Sequence, residues 1–170
     1  MKHLYAPWRE EYSKSIDGTK QEGAEQESCV FCSTFQESTE DKNFILGRFP
    51  SMIVILNRYP YNAGHIMILP HAHVAGLNSL SKESRQELME LTNTSTEIVK
   101  AEFKCDGVNV GINLGKAAGA GIPSHLHMHI LPRFFGDTNF LPTLADTKQI
   151  SFDLNTIYKR LKPHFERLEI

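Results

Sequence analysis

Between Ser124 and Arg133 the chain reads S-H-L-H-M-H-I-L-P-R, three histidines alternating with apolar residues. Successive side chains of a strand point to opposite faces, so His125, His127 and His129 share one side and Leu126, Met128 and Ile130 the other. Within a few residues the alternation separates a chemical face from a core face that can pack against a helix. Any fold for this chain has to accommodate both.

The remaining apolar pattern supplies such a setting. Strand-like runs fall at 44–48 and 52–56, with Pro50 in the turn between them, and at 65–70 after the loop N-R-Y-P-Y-N-A-G. From about 82 to 104, Leu88, Leu91, Ile98 and Phe103 lie at near-helical spacing, with Ser81 suited to the N-cap and Glu83 to the helix dipole. Further strands are expected at 107–114 and 125–132. In the tail, Leu154, Ile157, Tyr158, Leu161, Phe165 and Leu168 are spaced for a helix that Pro163 should kink or interrupt. The expected class is α+β: an antiparallel sheet with a long crossing helix and a C-terminal helix. The 170 residues divide into an N-terminal arm (Leu4, Tyr5, Trp8) with a mobile polar segment, together 1–28, a catalytic domain over 29–142 and a helical extension over 143–170.

A net charge of -2 gives no reason to expect broad affinity for nucleic acid or an anionic membrane, so any phosphate must be bound by a local site. The first residues lack the apolar stretch of a signal peptide, and no segment approaches the roughly 20 apolar residues of a membrane span, which makes the cytoplasm the default location. Three cysteines are too few, and odd in number, for a disulfide framework; Cys29 and Cys32 form a C-x-x-C spacing that suits metal or redox chemistry.

A neutral imidazole carries a lone pair able to attack phosphorus near neutral pH. A protonated neighbour can stabilise phosphate charge or protonate a leaving oxygen. Just upstream lies N-L-G-K-A-A-G-A-G, where Gly115, Gly119 and Gly121 permit close approach of the backbone to an anion. H-x-H is also a metal-ligand spacing, so a zinc site made of the three histidines remains the alternative. Arg133 and Lys116 are candidate phosphate ligands or plain surface residues, and Asp137, Thr138 and Asn139 form either a substrate loop or an Asx-type turn. Cys105 reads as a structural thiol, and His3 and His164 as exposed polar residues.

H-L-H-M-H-I-L resembles the signature of the histidine triad (HIT) superfamily, His-φ-His-φ-His-φ-φ with φ apolar, at every position. The likeness extends over N-R-Y-P-Y-N-A-G-H-I-M-I-L-P-H-A-H and spans roughly 29–142. A-P-W-R-E-E-Y, N-L-G-K-A-A-G-A-G-I-P-S-H-L-H-M-H and G-D-T-N-F-L-P are similar to the branch containing diadenosine tetraphosphate phosphorylases. The resemblance implies that His127 attacks the α-phosphate to form a nucleotidyl-histidine, that His129 contacts phosphate and assists the leaving group, and that His125 and His65 support the site. It further implies Asn57 near the nucleoside, Asn113 at the phosphate loop, a homodimer, and a dinucleoside polyphosphate or related nucleotide as substrate, with no cofactor required for the chemistry. The Cys29–Cys32 pair resembles the zinc half-site of some members, completed there by positions that match His73 and His125, with His71 competing for the former. Two features depart from the pattern: the stretch from Asn113 to His125 is one residue longer than in the hydrolase branches, and Met128 stands where the phosphorylase-like branch often has tryptophan. A nucleotide-binding interaction protein with little catalysis is the reading outside enzymology.

Overall fold

The computed structural model describes residues 29–36, 40–145, 147, 150 and 153–168; the arm at Leu4, Tyr5 and Trp8, the polar segment 13–28 and His3 lie outside the described residues. In chain order the elements are α1 (Val30–Gln36), β1 (Ile45–Arg48), β2 (Met52–Leu56), β3 (Ile66–Pro70), α2 (Lys82–Phe103), β4 (Gly107–Ile112), β5 (Met128–Arg133), the single turn α3 (Leu141–Leu144) and α4 (Leu154–Glu166). The five strands form one sheet in the order β1-β2-β3-β5-β4, and every neighbouring pair is antiparallel. The α+β class expected from the sequence is the one observed.

Strands β2 and β3 are buried at every position because both faces of the sheet are covered. On one face Met52, Val54, Leu56, Ile66 and Ile68 join Leu88, Leu91 and Val99 of α2 and Ile157 and Leu161 of α4. On the other, Ile53, Ile55, Met67 and Leu69 pack with Cys29 and Phe31 at the start of the described chain. The tip of the β1–β2 hairpin is tied to α2, where both carboxylate oxygens of Glu87 accept the Ser51 amide at 3.0 and 3.1 Å.

Helix α2 starts where capping chemistry demands, with the Ser81 hydroxyl accepting the Ser84 amide at 3.1 Å and Glu83 in the first turn. It buries a stripe at Leu88, Leu91, Thr92, Ser95 and Val99 and stops at Lys104, which takes the left-handed conformation. Helix α4 begins at a cap not read from the sequence, the Asp153 carboxylate accepting the Thr156 amide at 3.0 Å.

Three expectations need correction. Pro163 does not interrupt α4, which runs on to Glu166. An internal proline costs about 3 kcal/mol, whereas Ile157, Leu161 and Phe165 are fully buried and contribute roughly 1.5–3 kcal/mol each; packing wins. The strand expected at 107–114 ends at Ile112, where the glycine-rich loop begins. The strand expected from His125 starts only at Met128, because the chain before it leaves the ladder and Leu126 donates its amide to the Val74 carbonyl beyond the end of β3. The alternation survives outside the ladder: Leu126, Met128 and Ile130 are in the α2-side core.

Candidate active site

His125, His127 and His129 project on the α1 face of the sheet and do three different things. His127 places its Nδ1 2.8 Å from the His125 carbonyl, so this nitrogen carries the proton and donates it, and Nε2 keeps the free lone pair. Burial holds the ring's pKa below the ordinary histidine range, against a smaller opposing effect of that carbonyl, so the ring is neutral at pH 7. Its ring contacts Phe31, 5.4 Å away between centroids, and His129, at 4.9 Å.

His129 belongs to a second chain of hydrogen bonds. His65 is fully buried, and burial, with His129 and His127 adding to it, pushes its pKa down to about 3, so it too is neutral. The Tyr61 amide donates to His65 Nδ1 at 3.2 Å, which makes that nitrogen an acceptor and puts the proton on Nε2. His65 Nε2 then donates to His129 Nδ1 at 2.9 Å. A neutral His129 therefore carries its own proton on Nε2. Two neighbouring rings thus offer opposite functions, a lone pair on His127 and an N–H on His129.

His125 faces elsewhere. Its Nε2 donates to the Pro70 carbonyl at 3.0 Å, which leaves Nδ1 as a lone pair 3.5 Å from Cys29 Sγ and 3.6 Å from Cys32 Sγ. His73 Nδ1 is 3.3 Å from Cys32 Sγ, and the four ligand atoms of Cys29, Cys32, His73 and His125 all lie within 4.8 Å of one another. Bonds of about 2.3 Å to sulfur and 2.05 Å to nitrogen in a tetrahedron set S···N edges of about 3.5 Å, so this donor set fits a zinc-sized ion without rearrangement. Burial and the adjacent Cys29 thiol push Cys32 up to about 11, so the Cys32 thiol is neutral until a cation draws off its proton. His71 lies outside this group, which takes His73, and its Nε2 bonds instead to the Phe49 carbonyl at 3.0 Å. The same geometry removes a zinc site made of the three triad histidines. Both nitrogens of His125 are committed away from His127 and His129, and the metal-capable group found among the described residues takes only His125 from the triad.

This arrangement has known counterparts. The family pattern described as HIT domain matches residues 38–136, more than half of the chain. The chain belongs to the HIT domain family. It is 29% identical over 150 residues to an AP-4-A phosphorylase of Mycobacterium tuberculosis, covering 88% of this chain and 77% of that protein. Over 81 residues it is 33% identical to a bis(5'-adenosyl)-triphosphatase of Saccharomyces cerevisiae, covering 47% of this chain and 39% of that one. Its fold matches a Zn-bound histidine triad family protein from Mycobacterium smegmatis with a TM-score of 0.66 at 22% identity, covering 84% and 96% of the two chains.

The other residues that the HIT signature singled out are placed less uniformly. Asn57 is buried, with Nδ2 3.3 Å from His65 Nδ1 and Oδ1 accepting the Tyr59 amide at 2.9 Å, so its carboxamide is spent on the loop that holds His65. Asn113 directly follows the last ladder pair, Ile112 with Met128, at the point where β4 gives way to the loop. The Asn113 amide reaches across the loop to the Gly119 carbonyl at 3.4 Å. Gly115 and Gly119 have positive φ, whereas Gly121 does not, and Ala118, Gly119 and Ala120 bond their amides to the loop's own carbonyls. Asn139 accepts the Leu141 amide two residues on at 2.9 Å, the Asx-type alternative, and Asp137 is paired with Arg133 at 2.6 Å.

Sequence reading missed three residues of this HIT site. Tyr61 contributes the amide that fixes His65, and its ring stacks 6.2 Å from His129. Asn62, buried, bridges the Pro132 carbonyl and Asp137 at 3.0 and 2.8 Å, joining the loop before β3 to the loop after β5. Phe31 packs against both His125 and His127. The signal for Tyr61 and Asn62 was their place in N-R-Y-P-Y-N-A-G-H; nothing local marks Phe31 beyond its position between the cysteines.

Proposed function

We propose that this chain is a nucleotide-processing enzyme that cleaves a dinucleoside polyphosphate, such as diadenosine tetraphosphate, through a nucleotidyl-histidine intermediate on His127. The observation that carries the reading is the hydrogen bond from His127 Nδ1 to the His125 carbonyl, which leaves a neutral ring with its Nε2 lone pair available. The AP-4-A phosphorylase and bis(5'-adenosyl)-triphosphatase among its relatives support the substrate class.

In the first step His127 Nε2 bonds to the α-phosphorus as the bond from that phosphorus to the bridging oxygen breaks. The leaving oxygen departs as a phosphate anion that accepts a hydrogen bond from His129 Nε2, where the Tyr61–His65 chain holds that proton. In the second step an oxygen of water or of inorganic phosphate attacks the same phosphorus and displaces His127, and an attacking water gives its proton to the solvent. Asn113 and the loop of Gly115, Gly119 and Gly121 contact the phosphates; Asn57 acts by holding His65.

Zinc is the ion proposed for Cys29, Cys32, His73 and His125, supported by donor type and by the S···N separations. When bound it supplies a structural clamp. The chain is also proposed to act as a homodimer, with β4 as the interface: β4 is an edge strand, and Asn109, Val110 and Gly111 along it are exposed.

Rapid quenching with labelled diadenosine tetraphosphate is expected to trap an acid-labile nucleotidyl adduct that His127→Ala abolishes together with turnover. Turnover by the His127→Ala protein, or turnover of the wild type with no adduct, would defeat the reading. Absence of any turnover across a nucleotide panel would favour a nucleotide-binding protein instead. Release of a nucleoside diphosphate that depends on added phosphate marks a phosphorylase; a monophosphate formed in water alone marks a hydrolase.

A further inference from the structure

We infer that Phe31 is a positioning residue for the nucleophile, and that the Cys29/Cys32 cluster acts on His127 through it. The inference rests on the reading of His127 as nucleophile given above.

Phe31 lies between the two cysteines in sequence and is buried in the second face of the sheet with Ile45, Ile53 and Ile55. Its ring meets His127 at 5.4 Å with a 55° tilt and His125 edge-on at 5.5 Å. His129 meets the same ring at 4.9 Å with a 76° angle between planes. The His127 ring is therefore bordered by two aromatic rings, and one hydrogen bond, to the His125 carbonyl, sets which nitrogen is left free. A ring flip about Cβ–Cγ would set the ring carbon Cδ2 against that carbonyl, break the bond, and move Nε2 to the place of Cε1. The aromatic wall opposes this flip by packing, in addition to the one hydrogen bond that only the unflipped ring makes.

The wall is not part of the sheet. It rides on α1, which has only seven residues, and a helix so short does not hold itself in water. Cys29 and Cys32 bracket Phe31, and their sulfurs lie within 3.6 Å of the His125 and His73 nitrogens. A metal closing that set fixes the backbone on either side of Phe31. His125 contributes twice, with its ring in the cluster and its carbonyl to His127. The cluster thus reaches the nucleophile by two routes, one through a backbone carbonyl and one through an aromatic ring.

The test uses the full chain loaded with Zn²⁺ at one fixed pH, with ¹⁵N in the histidine rings. Two-bond ¹H–¹⁵N spectra are expected to show wild-type His127 as a single tautomer protonated on Nδ1. In Phe31→Ala the signal becomes an average of two tautomers, kcat falls by on the order of 10-fold to 100-fold, KM changes little, and zinc content stays at the wild-type level. Phe31→Tyr, which keeps the ring, restores both signal and rate. A Phe31→Ala protein with an unchanged His127 signal and full kcat overturns the inference. Loss of zinc or of fold in Phe31→Ala moves the decision to Phe31→Leu. There, an unaltered spectrum, or a rate that simply follows zinc content, overturns it, and a mixed signal at full zinc supports it. A wild type that turns over without an adduct would remove the nucleophile reading, and the ring spectrum still decides what Phe31 does to His127.

Discussion

Gly64 shows how much a single position governs the site. It has φ +82, and a Cβ there would fall 2.6 Å from the Phe103 ring. Arg160 also lies over this ring, its guanidinium carbon 4.9 Å from the Phe103 centroid, so a shift of the ring would disturb that contact. Gly64→Ala incurs about 1–2 kcal/mol for the left-handed backbone alone, and the clash adds to it. Urea unfolding is expected to show a loss of roughly 2 kcal/mol or more, with lower kcat because His65 follows directly in the chain. Unchanged stability would mean that Phe103 yields freely. Asp137 gives a pH-dependent counterpart. Arg133, with Asn62 and the Phe134 amide, holds its carboxyl well below the ordinary carboxylate range. A lowered folded-state pKa adds stability that is present above the unfolded value of 3.8 and is lost as pH falls toward the folded one. The stability gap between wild type and Asp137→Ala is expected to narrow below pH 4; a gap constant from pH 7 to pH 3 would show that the pair contributes nothing.

Among the elements, α1 and α4 are held in opposite ways. Helix α4 is capped by Asp153 and buries Ile157, Tyr158, Leu161 and Phe165, enough to carry Pro163 within it. Helix α1 buries only Phe31 and is otherwise attached through half-exposed Phe35, which contacts His71 and His125 and accepts from Arg48, and through the Cys29–Cys32–His73–His125 cluster. Binding that favours the folded state by 100 times its dissociation constant adds about 2.7 kcal/mol. Stripping zinc with dipicolinate is therefore expected to lower Tm by on the order of 5–10 °C, and Cys32→Ser to abolish the difference between stripped and loaded protein. Identical melting with and without chelator would argue against a metal clamp.

For the whole molecule the two edges of the sheet are not equivalent. Helix α4 packs along β1, whereas β4 leaves Asn109, Val110 and Gly111 exposed. Two β4 edges meeting across a two-fold axis make a self-complementary contact and remove the open edge. Sedimentation is expected to find a two-chain species, and Val110→Lys, which sets like charges against each other across the axis, a species of one 19.3 kDa chain. A wild type that sediments as one chain would remove the proposal. None of the described helices is long and apolar enough to cross a membrane.

Period and punctuation alone determined much of this. The alternating histidines, the apolar runs of β1 to β3, the spacing and the Ser81 cap of α2, and the α+β class all follow from short-range rules, because side-chain direction in a strand or helix depends on local backbone geometry. Tertiary structure decided where those rules stop. It ended β4 at Ile112 and started β5 at Met128, and it overrode Pro163, since long-range packing outweighs one local penalty. It also set His73 rather than His71 beside the cysteines and gave the three histidines different hydrogen-bond partners. Those choices depend on which carbonyl, thiol or ring lies opposite each imidazole: Pro70, Cys29, His65 and Phe31 are remote from the triad in sequence, and only the assembled fold brings them within hydrogen-bond or van der Waals range.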